Sequence, residues 1–289
     1  MKKVLVLAAA IMAAVFSAKA EVEFAYDAGF DIVSAYIWRG QYNGGLSFQP
    51  DLEFGFDGEH TSFRIGAWGN VGASDWTFTK DAGDGSAFTY FVPELDIVGR
   101  FSACGLSVGF NHYYYFGGSN FFSWKKVEDL DGSDDSSTTE VWAGYNFGHW
   151  SDKAGLYFNW YTTVAGQDLV YDAANNPKRA WSSYFEVGYD YTIESIGLTL
   201  GAVVGMSPWE SPLYGNDKFA VTNVSVKIDK EWEFEHVSLN LWAQGSLNPD
   251  GMVTDKTDAN YNIVCWKAAG EDKIGVQKLN GCIGLGVWF

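Results

Sequence analysis

From residue 28 to the final Phe289 the chain divides into stretches of about ten residues in which apolar side chains alternate with polar or small ones. Alternation with period two describes a β-strand with two unlike faces, and no helix can satisfy it. Twelve such stretches follow one another. The first, 28–39, sets Phe30, Ile32, Tyr36 and Trp38 on one face. The second, 46–57, sets Phe48, Leu52, Phe54 and Phe56 against Ser47, Gln49, Asp51, Glu53 and Asp57. The third, 61–71, sets Phe63, Ile65 and Ala67 against Arg64, Trp68 and Asn70. The same pattern recurs over 89–101, 105–116, 138–148, 154–165, 181–193, 197–207, 219–229, 236–246 and 275–289. In the last of these, Ile283, Leu285 and Val287 alternate with Cys282, Gly284 and Gly286.

The connections alternate as well. Short ones lie at 57–60, 102–105, 149–153, 194–197 and 230–235, and long ones at 40–45, 72–88, 117–137, 166–180, 208–218 and 247–274. Short turns at one end and long polar loops at the other predict an all-β, up-and-down antiparallel transmembrane β-barrel of about twelve strands. Strands of this length match a tilted crossing of the hydrocarbon layer. Closure is required, because an open sheet edge cannot sit in lipid. An even strand number places both termini at the short-turn, periplasmic end. A secreted β-sandwich is the competing fold, but sandwiches do not alternate loop length so regularly.

Composition agrees with this architecture. Hydrophobic residues make up 47% of the chain and aromatic residues 17%, yet after the first twenty residues no apolar run reaches the about eighteen residues of a membrane helix. Those first twenty residues have a secretory signal peptide's three parts: Lys2 and Lys3, the apolar run Val4 to Phe16, and the cleavage pattern Ala18-Lys19-Ala20. The expected organisation is therefore a signal peptide over 1–20 and a barrel over 21–289, exported through the inner membrane and placed in the outer membrane of a Gram-negative-type bacterium. Cleavage removes three lysines and takes the formal net charge from −17 to −20. So acidic a chain is a poor partner for nucleic acid. Three cysteines give no disulfide framework. Cys265 and Cys282 fall near the outer end of the last hairpin, where the compartment permits a bond, and Cys104 falls in a periplasmic turn.

Two short segments resemble known families. An alternating strand that ends on Phe289 resembles the C-terminal signature of bacterial outer-membrane proteins, which implies contact with the barrel-assembly machinery through that strand. The segment "SAYIWRGQYNGGLSFQPDLEFGF", residues 34–56, resembles the start of a family of bacterial outer-membrane porins. In that family a Ser-x-Tyr-x-aromatic-Arg-Gly motif on the first strand precedes a polar loop and a second strand. Ser34, Tyr36, Trp38, Arg39 and Gly40 match it here. The resemblance covers about two strands and implies a channel on a barrel scaffold.

In such a barrel, function is written on the lumen face. The phases assign Asp51, Glu53, Arg64, Glu94, Asp96, Arg100, Glu140, Glu186, Asp190 and Lys227 to it, with Arg39 at the outer end of the first strand. They also assign the aromatic residues Trp68, Tyr90, Tyr113, Tyr115, Trp142, Tyr157, Tyr161, Tyr184 and Trp242. These rings either fill space or offer a sliding surface for flat solutes. Arg64 is expected to pair with Asp51 or Glu53, depending on how the turn at 57–60 is centred. The acidic balance predicts a narrow, weakly cation-selective pore for small solutes, in contact with outer-membrane lipid and lipopolysaccharide. The alternative is a closed barrel whose loops serve adhesion, receptor or structural roles.

An outer-membrane lipid-modifying enzyme is third. It needs a nucleophile, a His base and an orienting group together at the rim. His60, His149 and His236 sit at short turns, and His112 shares the lipid-facing phase with Phe110 and Tyr114 as an aromatic-girdle residue, with Ser119 beyond it. No catalytic or cofactor motif is present. The acidic loop 128–137, with Asp129, Asp131, Asp134 and Asp135, lacks the spacing of a calcium loop and is expected to be a solvated external segment.

Overall fold

A computed structural model of the chain describes residues 22–72, 94–116, 121–122, 137–150, 155–166, 168–172, 176–249, 253–255, 273–275 and 279–289. Among these, twelve antiparallel strands close into a barrel. They are β1 Glu23–Val33, β2 Ser47–Asp57, β3 Thr61–Gly72, β4 Glu94–Ala103, β5 Leu106–Tyr115 and β6 Ser137–Asn146. β7 Leu156–Gly166, β8 Ser183–Ile193, β9 Leu198–Ser207, β10 Ala220–Glu233, β11 Ser238–Leu247 and β12 Leu279–Trp288 complete the wall. Each strand pairs with its sequence neighbours. The barrel shuts where β12 meets β1, from Gly29↔Trp288 to Val33↔Gly284. Two further backbone bonds extend this seam, Ser34 N–H to Ile283 O (2.8 Å) and Phe289 N–H to Ala28 O (2.8 Å). The C-terminal strand is thus paired on both edges, and its glycine face is a packing requirement. A Cβ at Gly284 would overlap the Trp242 ring, and one at Gly286 would overlap the Asn240 side chain.

The outer face follows the expected phase. Phe48, Leu52, Phe54 and Phe56 on β2, Val224, Val226 and Ile228 on β10, and Ile283 and Leu285 on β12 all point away from the lumen and are exposed. In water so large an apolar belt would drive association; in a bilayer it meets lipid. Among the described residues no helix is long and apolar enough to cross a membrane, and the crossing is made by strands. Aromatic clusters mark both rims of the belt. At the short-turn end Phe24 packs on Phe56 (5.8 Å between ring centroids) and Tyr145 on Phe147 (5.0 Å). Near the long-loop end Tyr114 packs on Phe116 (5.0 Å) and Trp160 on Trp209 (5.9 Å).

Two expectations about the wall are corrected. First, β1 begins at Glu23 and leaves the wall after Val33. Phe30 and Ile32 keep the lipid-facing phase, but Tyr36 and Trp38 do not continue it. Residues Tyr36–Trp38 instead pair with Gln41–Gly44 in a separate hairpin. Its two-residue turn is Arg39-Gly40, with φ of 49° and 82°, the double left-handed geometry of a type I′ turn. The hairpin folds into the barrel, so the connection 34–46 is an inward element and not an external loop. Second, the β2–β3 register pairs Phe56 with Phe63 and Gly55 with Arg64. The turn therefore sits on Glu59-His60, further along than either register expected, and Arg64 faces neither Asp51 nor Glu53. Its partner is Asp57, at 2.5 Å.

Candidate functional site

The lumen has two unlike halves. Toward the long loops it is packed with polar side chains that are almost wholly buried, among them Ser47, Gln49, Glu94, Asp96, Glu140, Thr163, Ser183, Thr222 and Asn223. Toward the short turns it opens into a cavity of about 760 Å³ that extends up to Arg39. The cavity wall carries Asp27, Glu186, Asp190, Asp229 and Glu231 against Arg39 and Lys227.

The boundary between the halves is built from the 34–46 hairpin and the loop 208–219. Three features aim the hairpin inward. Ser34 bonds Ile283 through both its N–H and its hydroxyl, which accepts from Ile283 N–H (2.9 Å). Val33, Ala35 and Cys282 form a small apolar cluster with Ile37 and Trp242 packed on it. Asn280 donates to Gly40 O (2.9 Å), and a Cβ at position 40 would collide with Thr222 O on β10. The tip of the hairpin therefore rests against the wall at β10 and β12.

Arg39 occupies the centre of this boundary. Its two terminal nitrogens donate to the two oxygens of Glu140, at 2.9 and 2.6 Å. Such a fork is the strong form of an ion pair, because two parallel bonds fix the geometry as well as the charge. Glu140 also accepts from Asn111 (2.7 Å) and from the Tyr113 hydroxyl (2.5 Å), so every donor around it points at the carboxylate. The guanidinium carbon lies 3.9 Å from the Tyr161 ring centroid, 4.5 Å from Trp38 and 4.9 Å from Tyr184. Arg39 donates in addition to the Tyr214 hydroxyl. Tyr214 comes from the loop 208–219 and stacks on Trp38 (5.6 Å, 8° between planes) and on Tyr184 (5.4 Å). Burial would draw the Arg39 pKa down, but Glu140 holds it above its usual value and the guanidinium stays charged. Burial pushes the Tyr214 hydroxyl up, so it stays neutral beside that charge.

Several of the other sequence-assigned residues have partners of their own. Arg100 donates to Glu53 (2.7 Å), an interstrand pair that skips β3. Lys227 pairs with Asp229 (3.0 Å) and lies 4.9 Å from the Trp242 ring. Glu186 accepts from Asn159 (2.9 Å). Trp142 packs on Tyr161 (5.9 Å) and Trp68 on Tyr36 (5.4 Å). Asp96 is buried beside Glu94, and its Oδ1 accepts no hydrogen bond. Arg39, Arg64, Arg100 and Lys227, the bases that the sequence assigns to the lumen, are thus each matched to a carboxylate. Asp27, Asp31, Asp51, Glu94, Asp96, Glu186 and Asp190 have no ion-pair partner among the described residues.

Sequence reasoning missed Tyr214, Asn111 and the inward aim of Tyr36 and Trp38. Tyr214 sits in "SPLYGN", an aromatic between turn residues, which is unusual for a solvated loop. His112 keeps the outer phase but is not exposed as a girdle residue. It is buried under Phe121 and Phe122, with its ring nitrogens on Thr139 Oγ1 (2.8 Å) and Phe121 O (2.7 Å). Among the described residues no three His, Cys, Asp or Glu side chains are grouped to hold a metal ion. Tyr90, Ser119, the acidic residues Asp129, Asp131, Asp134 and Asp135, Cys265 and the segment 1–20 lie outside the described residues.

No family model and no curated protein matches the chain. Among solved structures it is similar to an outer-membrane channel from Pseudomonas putida F1, at 10% identity over 93% of this chain and 94% of that one, with a TM-score of 0.40. It is also similar to an anion-selective porin from Comamonas acidovorans, at 8% identity over 93% and 99%, with a TM-score of 0.32. The fold rests on the barrel's own closure and register.

Proposed function

We propose that the protein is an outer-membrane channel for passive diffusion of small solutes, narrowed at Arg39–Glu140 and favouring neutral and cationic solutes over anions. The observation that carries this reading is the cavity of about 760 Å³, lined by the polar face of a closed barrel and ending on the Arg39 hairpin. A barrel that served only as a rigid stalk would need its interior filled, and an eight-stranded barrel is filled by side chains alone. Here twelve strands enclose more space than their side chains occupy, and the chain inserts two connecting segments into it. The preference for cations follows from charge matching. Among the described residues the assigned bases are neutralised locally and the unmatched lumen groups are carboxylates, which concentrate cations in a narrow bore.

Assembly through the C-terminal strand, contact with lipid and lipopolysaccharide, and export with a cleaved signal peptide belong to the same proposal. A second reading has one observation in its favour. Tyr36, Tyr113, Tyr184 and Tyr214 are all at most 8% exposed, so the boundary layer is tightly packed. If it does not open, the barrel is closed and its loops carry the function in adhesion, reception or structure. Conductance of the folded protein in a planar bilayer separates the two: discrete openings support the channel, and a silent, correctly folded barrel supports the alternative.

A further inference from the structure

Arg39 is held the way a free guanidinium ligand would be held. Its planar fork meets the two oxygens of Glu140, aromatic faces cover it, and a phenol oxygen accepts a further bond. This is the recognition chemistry of a guanidinium receptor: a bidentate carboxylate combined with a π-lined box. Apart from Trp38, the receptor groups do not come from the hairpin. Asn111, Tyr113, Glu140, Tyr161 and Tyr184 stand on the wall strands β5 to β8, and Tyr214 on the loop 208–219. The tether that supplies the guanidinium is the least favourable part of the arrangement. Arg39 has a positive φ, a backbone conformation that side chains other than glycine seldom adopt. The cavity reaches Arg39 from the short-turn end, so the box borders open space, and the unpaired carboxylates Asp27, Glu186 and Asp190 face that space.

We propose that Glu140, Tyr161, Tyr184 and Tyr214 form a receptor for guanidinium-bearing solutes, which the chain's own Arg39 occupies as a tethered competitor. A solute that carries a guanidinium takes Arg39's place as it passes. The passage half of this rests on the channel reading; the receptor half does not. Removing Arg39 leaves the box built and its carboxylate unmatched, and a free guanidinium ion fits the gap. An ammonium or quaternary ammonium ion lacks the planar fork.

Thermal unfolding of Arg39→Ala in detergent tests the receptor. Its melting temperature should fall below wild type. Guanidinium chloride, at concentrations too low to denature, should restore at least half of the loss, and equal sodium chloride or tetramethylammonium chloride should not. The rescue should vanish in Arg39→Ala combined with Glu140→Gln. If Arg39→Ala does not fold alone, the folding yield with each salt present gives the same comparison. Equal effects of all three salts, or rescue that survives loss of the carboxylate, would overturn the receptor. In wild-type protein in a bilayer, free arginine should block the current at a roughly tenfold lower concentration than lysine, because only its fork matches the box. Equal block by the two would overturn the exchange. Rescue of the variant without any current from wild type would overturn passage and the channel reading, and leave the receptor supported.

Discussion

Replacing Glu140 by Ala should open the channel. Glu140 is 1% exposed and its carboxylate receives four donors, two of them from Arg39. If Arg39 stayed in place, removing its partner would leave a buried charge unpaired, at a cost of roughly 3–5 kcal/mol. The rings of Trp38, Tyr161 and Tyr184 offset part of that, at about 2 kcal/mol for a desolvated cation–π contact. The two terms leave a net push of about 2 kcal/mol toward the water-accessible cavity, roughly thirtyfold in the population of the released hairpin. The wall strands lose little, so the barrel should remain folded. Single-channel recording should show a larger conductance for Glu140→Ala than for wild type, with the folded band unchanged on an unheated gel. The charge moves in a definite direction too. Glu140→Ala leaves an unmatched cation at the constriction and should reduce cation preference, whereas Arg39→Ala leaves an unmatched carboxylate and should increase it. The double variant should resemble each single variant in conductance and wild type in selectivity. A folded Glu140→Ala with wild-type conductance and reversal potential would refute the role given to the Arg39–Glu140 pair in narrowing the channel.

Arg64→Ala should lower stability by no more than about 1 kcal/mol, because its partner Asp57 is 44% exposed beside a short turn and exposed pairs contribute little. Urea unfolding in lipid vesicles measures this, and a loss above 3 kcal/mol would mean that the pair is sealed from water. For topology, tags inserted within 117–137 or 247–274 should be labelled on intact cells, and tags within 102–105 or 194–197 should not. The reverse pattern would invert the barrel in the membrane.

The wall was legible because lipid imposes one rule on it. Outward positions that meet lipid favour apolar side chains, and that rule writes itself as period two along each strand. Phe48 to Phe56, Val224 to Ile228 and Ile283 to Val287 could be assigned on that basis alone. The lumen obeys no such rule, and the misses fall there. Tyr36 and Trp38 extend the alternation of Phe30 and Ile32, and period two cannot distinguish a strand that continues in the wall from a hairpin that turns inside it. The Arg39-Gly40 turn was the available signal. Arg64 shows how turn geometry limits side-chain pairing. Every register weighed kept Phe63 outward, but only the observed one brings Asp57 within reach, and that depends on where the turn is centred. Tyr214 reaches the site from a loop, at a distance that alternation does not encode.

The central claim is that ions cross this barrel and that its unmatched carboxylates select among them. Reversal potential in a planar bilayer under a salt gradient tests it most directly. The folded protein should conduct and the potential should favour cations. The preference should fade as salt rises, since the Debye length shrinks from about 30 Å at 0.01 M to about 3 Å at 1 M. A correctly folded sample without conductance would contradict the channel, and a clear anion preference would mean that Arg39 and the other bases govern the constriction.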